Sequence, residues 1–102
     1  MRTIGVVTVG RSDYGIYRSL LDAIGADPQL QLRLFVSGAH LSQEHGRTVQ
    51  AIEAEGRPIA EVIDMRLAGD SPAAVATSMG HGVIGFAEAF DRTQPDLLVV
   101  LG

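Results

Sequence analysis

Six consecutive residues, Gly10-Arg11-Ser12-Asp13-Tyr14-Gly15, hold the first chemistry in this chain. They follow an apolar, β-branched run from Thr3 to Val9 and precede a segment with helical spacing. The loop therefore joins a strand to a helix N-terminus. Glycine lets the backbone turn tightly, and a helix start offers free N–H groups and a positive dipole end to an anion. Arg11 adds a guanidinium able to grip a phosphate through two hydrogen bonds. Asp13 in that setting can orient a sugar hydroxyl or act as a base. The same residues also read as a plain turn at Gly10, with Arg11 and Asp13 as a solvated ion pair that caps the helix. Gly5, Gly10 and Gly15 recur every five residues, so the spacing is not the dinucleotide fingerprint.

A second loop, Ser37-Gly38-Ala39-His40-Leu41-Ser42, also follows a strand-like run. His40 there can donate to a phosphate or sugar oxygen, or stand as an exposed loop residue. His45 reads as helix surface. His81 lies in Met79-Gly80-His81-Gly82-Val83-Ile84-Gly85, where the glycines point to close helix packing or a bend. No second metal ligand stands at suitable spacing beside it, and no metal site is expected. Asp64, Asp70 and Arg66 form a third strand-end group; it can reach substrate, or it is a surface loop leading to the Ser71 cap. The charges of Glu44, Arg47, Glu53 and Glu55 read as a solvated helix face.

Four strand segments and three helices position these loops. The strands are Thr3 to Val9, Leu30 to Val36, a short one from Pro58 to Ile63, and a buried one from Asp96 to Leu101. The first helix spans Asp13 to Ile24, with Ser12 or Asp13 as N-cap and Ile16, Leu20, Leu21 and Ile24 at helical spacing. The second runs from Leu41 to Glu55, stopped by Gly56, with Val49 and Ile52 on its buried stripe. The third starts at the Ser71 cap with Pro72 at its first position, and ends near Arg92 before Pro95. A βαβαβαβ order implies a Rossmann-like parallel α/β sheet of strand order 3-2-1-4, with two helices on one face and the third on the other.

Length and composition narrow the classes. A chain of 102 residues allows one domain, 1–102. Eight basic against twelve acidic residues give a net charge of −4, which disfavours nucleic-acid and anionic-membrane partners. With 46% hydrophobic and 20% charged residues the chain fits neither disorder nor a membrane span. No signal peptide is visible, and cysteine is absent, so a cytoplasmic location is the default. Lysine is absent too, which excludes a Walker-type phosphate loop, Schiff-base catalysis and receiver-type phosphorylation.

The ordered motifs resemble those of hydrolysing UDP-N-acetylglucosamine 2-epimerases. They are the Gly10 to Gly15 loop, Ser37 to Ser42 with Gly46-Arg47-Thr48-Val49, Gly69-Asp70-Ser71-Pro72, and Pro95 to Gly102. The resemblance runs over essentially all 102 residues and covers about the first third of a typical member. It implies a two-domain enzyme of the glycosyltransferase-B arrangement, here represented by its amino-terminal Rossmann-like part. The implied reaction converts UDP-N-acetylglucosamine, or a related UDP-amino sugar, to UDP and an N-acetylmannosamine-type sugar by elimination and then hydration, without a cofactor. By motif match, Arg11 contacts the diphosphate with Ser12 beside it, and Asp13 is a catalytic residue. Ser37, Gly38 and His40 line the sugar-nucleotide cleft or a neighbouring regulatory nucleotide pocket. The family's fourth strand leads into Gly-Asp-Arg with a catalytic Asp, and this chain stops at the Gly. The 102-residue piece is therefore expected to be inactive alone, with a homodimeric parent enzyme. Two other readings stay open: a different sugar-nucleotide enzyme of the glycosyltransferase-B type, and a non-catalytic nucleotide-binding or interaction module.

Overall fold

The computed structural model describes residues 1–37, 49–57, 59–63 and 71–101. Four strands form one sheet: β1 (Arg2–Thr8), β2 (Leu30–Ser37), β3 (Ile59–Ile63) and β4 (Leu97–Val99). Three helices connect them: α1 (Arg11–Ala26), α2 (Val49–Ala54) and α3 (Pro72–Thr93). The sheet order is β3-β2-β1-β4 and every pairing is parallel, as the alternation of elements requires.

Each face of the sheet carries its own core. Ile4, Val6, Leu34 and Val36 point to one side, where they meet Tyr14, Tyr17, Leu21 and Ile24 of α1 and Ile52 of α2. Phe35 and Ile63 point to the other, against Ala89, Phe86 and Phe90 of α3. The Phe35 and Phe90 rings meet edge to face at 5.2 Å, a favourable quadrupole geometry. The expected split of two helices against one is observed. At about 1.5–3 kcal/mol per buried large side chain, these two layers supply most of the folding drive.

Several local expectations change. Helix α1 starts at Arg11 with Gly10 as its N-cap, rather than Ser12 or Asp13, because Asp13 at the third helical position reaches back to the Gly10 N–H. Its buried stripe is Tyr14, Tyr17, Leu21 and Ile24, while Ile16 and Leu20 are exposed. The two tyrosines fall on the same arc as Leu21 and Ile24 and bring larger apolar rings to the sheet. Strand β4 is short and lies at the sheet edge among the described residues, with Leu97 and Leu98 both exposed. It is pinned at its start by reciprocal bonds, from the Thr3 N–H to the Asp96 carboxylate at 2.7 Å and from the Asp96 N–H to the Thr3 carbonyl at 2.8 Å. The other termini follow the sequence. Gly56 takes a φ of 78° at the end of α2, and Ser71 accepts from the Ala74 N–H at 3.1 Å. The expected part of the second helix at 41–48 and the residue Pro58 lie outside the described residues.

A bulge shifts the register of β2 and β3. Leu34 pairs with Ile59 and Phe35 with Glu61, leaving Ala60 over. The extra residue puts Glu61 opposite Phe35, on the α3 side of the sheet. There its carboxylate accepts two bonds from Arg92 in the last turn of α3, at 2.6 and 3.2 Å. That pair holds the Glu61 carboxyl below its usual range, against a smaller opposing effect of burial.

Tyr17 is the exception in the apolar layer. Its hydroxyl is buried with no hydrogen-bond partner among the described residues, and burial, with the charge of Asp13, pushes its pKa up. An unsatisfied buried hydroxyl is costly, so Tyr17→Phe is expected to raise stability by about 1 kcal/mol. Denaturant unfolding measures this, and a loss of stability would mean that the hydroxyl has a partner.

Candidate functional site

All four strands deliver their carboxyl ends to one edge of the sheet. Thr8 pairs with Val36, Ser37 with Ile63, and Val6 with Val99, which sets the ends of β1, β2, β3 and β4 side by side. The connection after β1 crosses one face through α1, and the connection into β4 crosses the other through α3. The two part company at the β1–β4 boundary, the place where open parallel sheets bind ligands.

At that boundary the chain leaves β1 through Val9 and Gly10 and enters α1. Gly10 has no side chain and α1 has no side-chain cap, so Asp13 supplies the fastening. Its Oδ2 accepts from the Val9 N–H at 3.0 Å and the Gly10 N–H at 3.1 Å, and its Oδ1 accepts from the Thr8 hydroxyl. Thr8 is fully buried on the α1 side of β1. The Tyr14 N–H donates to the Gly10 carbonyl at 3.1 Å and closes the first helical turn. A carboxylate in the first turn also suits the helix dipole. Opposite that turn the positive helix end faces the strand edge, with Ser12 exposed on it.

The six residues proposed from sequence divide as follows. Asp13, Ser12 and the backbone of Arg11 share the turn after β1; the Arg11 side chain lies outside the described residues. Ser37 closes the neighbouring strand. It is fully buried, and its hydroxyl donates to the Ile63 carbonyl at 2.5 Å, so it ties the end of β2 to the end of β3. Gly38 and His40 lie outside the described residues, as do Asp64, Arg66, Asp70 and His45. His81 is exposed on α3. Among the described residues no three His, Cys, Asp or Glu side chains are grouped to hold a metal. No described helix is long and apolar enough to cross a membrane.

Sequence reasoning missed two groups. Thr8 carries a visible signal: a hydroxyl at the inward-facing end of a strand, five residues before an acidic residue in a helix's first turn. The second group surrounds Tyr14. Its hydroxyl donates to Glu55 Oε1 at 3.1 Å and accepts from Arg57 Nε at 2.8 Å. Arg18 donates to Glu55 Oε2 at 2.9 Å, and Arg57 pairs with Asp22 at 2.9 Å. Glu55 is exposed, as expected of a solvated face, and it also cross-links α1 to the end of α2. The partners lie 37 and 41 residues away in sequence, beyond the reach of local spacing.

Burial tends to raise the Glu55 pKa, but the bonds from Arg18 and Tyr14 and the nearby guanidinium charges outweigh it and hold the carboxyl below its usual value. Burial raises the Tyr14 pKa, against the lowering effect of Arg57. A depressed folded-state pKa means stability that is present above about pH 4.3 and lost as the pH falls through the folded value. The acid limb of the stability curve is therefore expected to be shallower in Glu55→Gln than in the parent chain. Melting temperatures between pH 3 and pH 7 would check it; parallel acid limbs would remove Glu55 from the account.

Comparison with known proteins shows the family. The family model described as UDP-N-acetylglucosamine 2-epimerase matches residues 22–102. Over 102 residues and the whole chain, 34% of positions are identical in a UDP-N,N'-diacetylbacillosamine 2-epimerase (hydrolyzing) of Legionella pneumophila, covering 27% of that protein. A GDP/UDP-N,N'-diacetylbacillosamine 2-epimerase (hydrolyzing) of Campylobacter jejuni is 36% identical over 99% of the chain and 26% of its own length. A UDP-N-acetylglucosamine 2-epimerase of Neisseria meningitidis is 28% identical over the whole chain, again 26% of its length. The chain spans about a quarter of these relatives, less than the third expected from the motifs. The turn from Gly10 to Asp13 precedes the segment matched by the family model but lies within the alignments that cover the whole chain. From the four-stranded sheet to the identities along its full length, the chain belongs to the UDP-N-acetylglucosamine 2-epimerase family.

Proposed function

We propose that residues 1–102 are the amino-terminal Rossmann-like portion of a longer hydrolysing 2-epimerase that converts a UDP-2-acetamido sugar to UDP and the C2-inverted free sugar. The observation that carries this reading is the identity of 34–36% along the chain with two relatives named as hydrolysing 2-epimerases. The geometry of the strand edge supports it. In an elimination, negative charge collects on the leaving diphosphate, and stabilisation is greatest where donors are already oriented toward it. The N-terminus of α1 with Arg11 as its first residue offers such a pole at the β1–β4 boundary. Ser12 is exposed on the same turn, and Gly38 and His40 follow the adjacent strand. Ser37 ends that adjacent strand, with its hydroxyl bonded to the end of β3.

The face over α3 and β4 supports a longer chain. Met79, Val83 and Phe86 line an open apolar groove, and Leu98 of β4 is exposed. The net charge of −4 fits a small-molecule substrate better than nucleic acid.

The test is proton NMR of UDP-N-acetylglucosamine and of its 2,4-diacetamido analogue, incubated with the longer gene product and, in parallel, with the 102-residue chain. UDP and a manno-configured free sugar from the longer protein alone are expected. Intact substrates with both proteins would overturn the reading, and a glycosylated acceptor would replace it with sugar transfer. Turnover by the short chain would place the whole catalytic set within residues 1–102.

A further inference from the structure

We propose that Asp13 and Thr8 are positioning residues. They fasten the β1–α1 turn in the shape that presents the start of α1 to the diphosphate, and Asp13 takes no proton from the sugar. The inference rests on the reading that this edge binds a UDP-sugar.

The argument lies in the donor set. Three consecutive residues converge on one carboxylate: the Thr8 hydroxyl, the Val9 N–H and the Gly10 N–H. Two of the bonds fall on Oδ2, at 3.0 and 3.1 Å, and a carboxylate oxygen has two lone pairs to accept with. The Thr8 bond occupies one side of Oδ1. A general base needs a lone pair aimed at the proton it removes, within hydrogen-bond reach. In Asp13 three of about four acceptor positions are already taken by donors of the turn. What the arrangement does is fix the backbone of residues 8 to 10 from the far end of the first helical turn. Gly10 has no side chain to cap α1, so the turn's shape depends on the carboxylate reaching back. Thr8 in turn is fully buried at the end of the strand that pairs with both β2 and β4, so the anchor is a rigid part of the sheet.

Asparagine separates a clamp from a base. In Asp13→Asn the amide oxygen can still accept the two N–H groups, and the amide nitrogen can donate to the Thr8 oxygen once that hydroxyl turns round. Shape survives while basicity is lost. In the longer protein, Asp13→Asn is expected to keep kcat within a few fold with an unchanged pH profile. Loss of a general base instead costs about a hundredfold or more and removes a limb of that profile. Thr8→Val is expected to raise KM about tenfold with a smaller change in kcat, the effect of one lost hydrogen bond to a charged group. Thr8→Ser, which keeps the hydroxyl, is expected to restore it. A hundredfold loss of kcat in Asp13→Asn, or no rescue by serine, would overturn the proposal.

Hydrogen exchange tests the clamp without any substrate. In Asp13→Ala, peptides containing Val9 and Gly10 are expected to exchange faster than in the parent, and unchanged exchange would overturn the clamp. Failure of the unmutated protein to turn over any UDP-amino sugar would overturn the functional reading instead, and exchange would still decide on the clamp.

Discussion

In the longer protein, if it acts on a UDP-sugar as proposed, Arg11→Ala is expected to lower kcat/KM about a hundredfold or more while leaving the melting temperature within error. The size of the effect follows from the position. Arg11 is the first residue of α1, so the charge it would carry to a diphosphate adds to a helix end that is already positive. Removing one preorganised donor from a site of developing charge costs about 10²–10³ in rate in comparable settings. Stability is untouched because alanine suits the first turn of a helix as well as arginine does. Arg11→Lys separates charge from shape. Lysine restores a point charge but not the paired hydrogen bonds of a planar guanidinium, so partial recovery is expected. Steady-state kinetics on the three proteins checks this, and full activity in Arg11→Ala would return the residue to a solvated ion pair.

What the sequence made legible here is what local periodicity encodes. The runs Thr3 to Val9 and Leu30 to Val36, the Ser71-Pro72 start and the Gly56 stop each follow from neighbours within one turn or one strand, and the 3-2-1-4 sheet follows from their order. The Gly10 to Asp13 turn was visible for the same reason, since a glycine between a buried strand and a helix marks the edge. What local spacing does not encode is which of two partners a polar side chain chooses. Asp13 reads equally well as a base, a cap or half of an ion pair until the positions of Thr8, Val9 and Gly10 are known. Glu55 looks like any helix-surface glutamate until Tyr14 and Arg18 arrive from 41 and 37 residues away. Ser37 ends a strand next to a glycine, and nothing in its neighbours tells that its proton goes to the adjacent strand. The exposure of Leu97 and Leu98 in β4 is not legible for a related reason: an apolar run does not say what packs over its two faces.

Gly85→Val is expected to be strongly destabilising, with a loss of about 3 kcal/mol out of the roughly 5–15 typical of a domain. A β-carbon at Gly85 would lie 2.7 Å from Cγ2 of Ile63, far inside contact distance. The neighbour cannot yield cheaply. Ile63 is buried and β-branched, its backbone is paired to Ser37, and its carbonyl accepts the Ser37 hydroxyl. Displacing it therefore strains the α3 layer and loosens the tie between the ends of β2 and β3. Gly80 lies in the same helix, where a β-carbon would have nothing within 4 Å, so Gly80→Ala removes only the conformational cost of glycine and gains about 1 kcal/mol. Gly85→Ala receives the same propensity gain but meets Ile63, and the clash of about 1–3 kcal/mol outweighs it. Opposite signs for two Gly→Ala substitutions five residues apart in one helix would show that close approach to β3, rather than flexibility of α3, is what Gly85 provides. Denaturant midpoints for the three variants decide it: equal gains from both alanines would mean that α3 does not sit this close to the strand whose end carries Ile63 to the ligand edge.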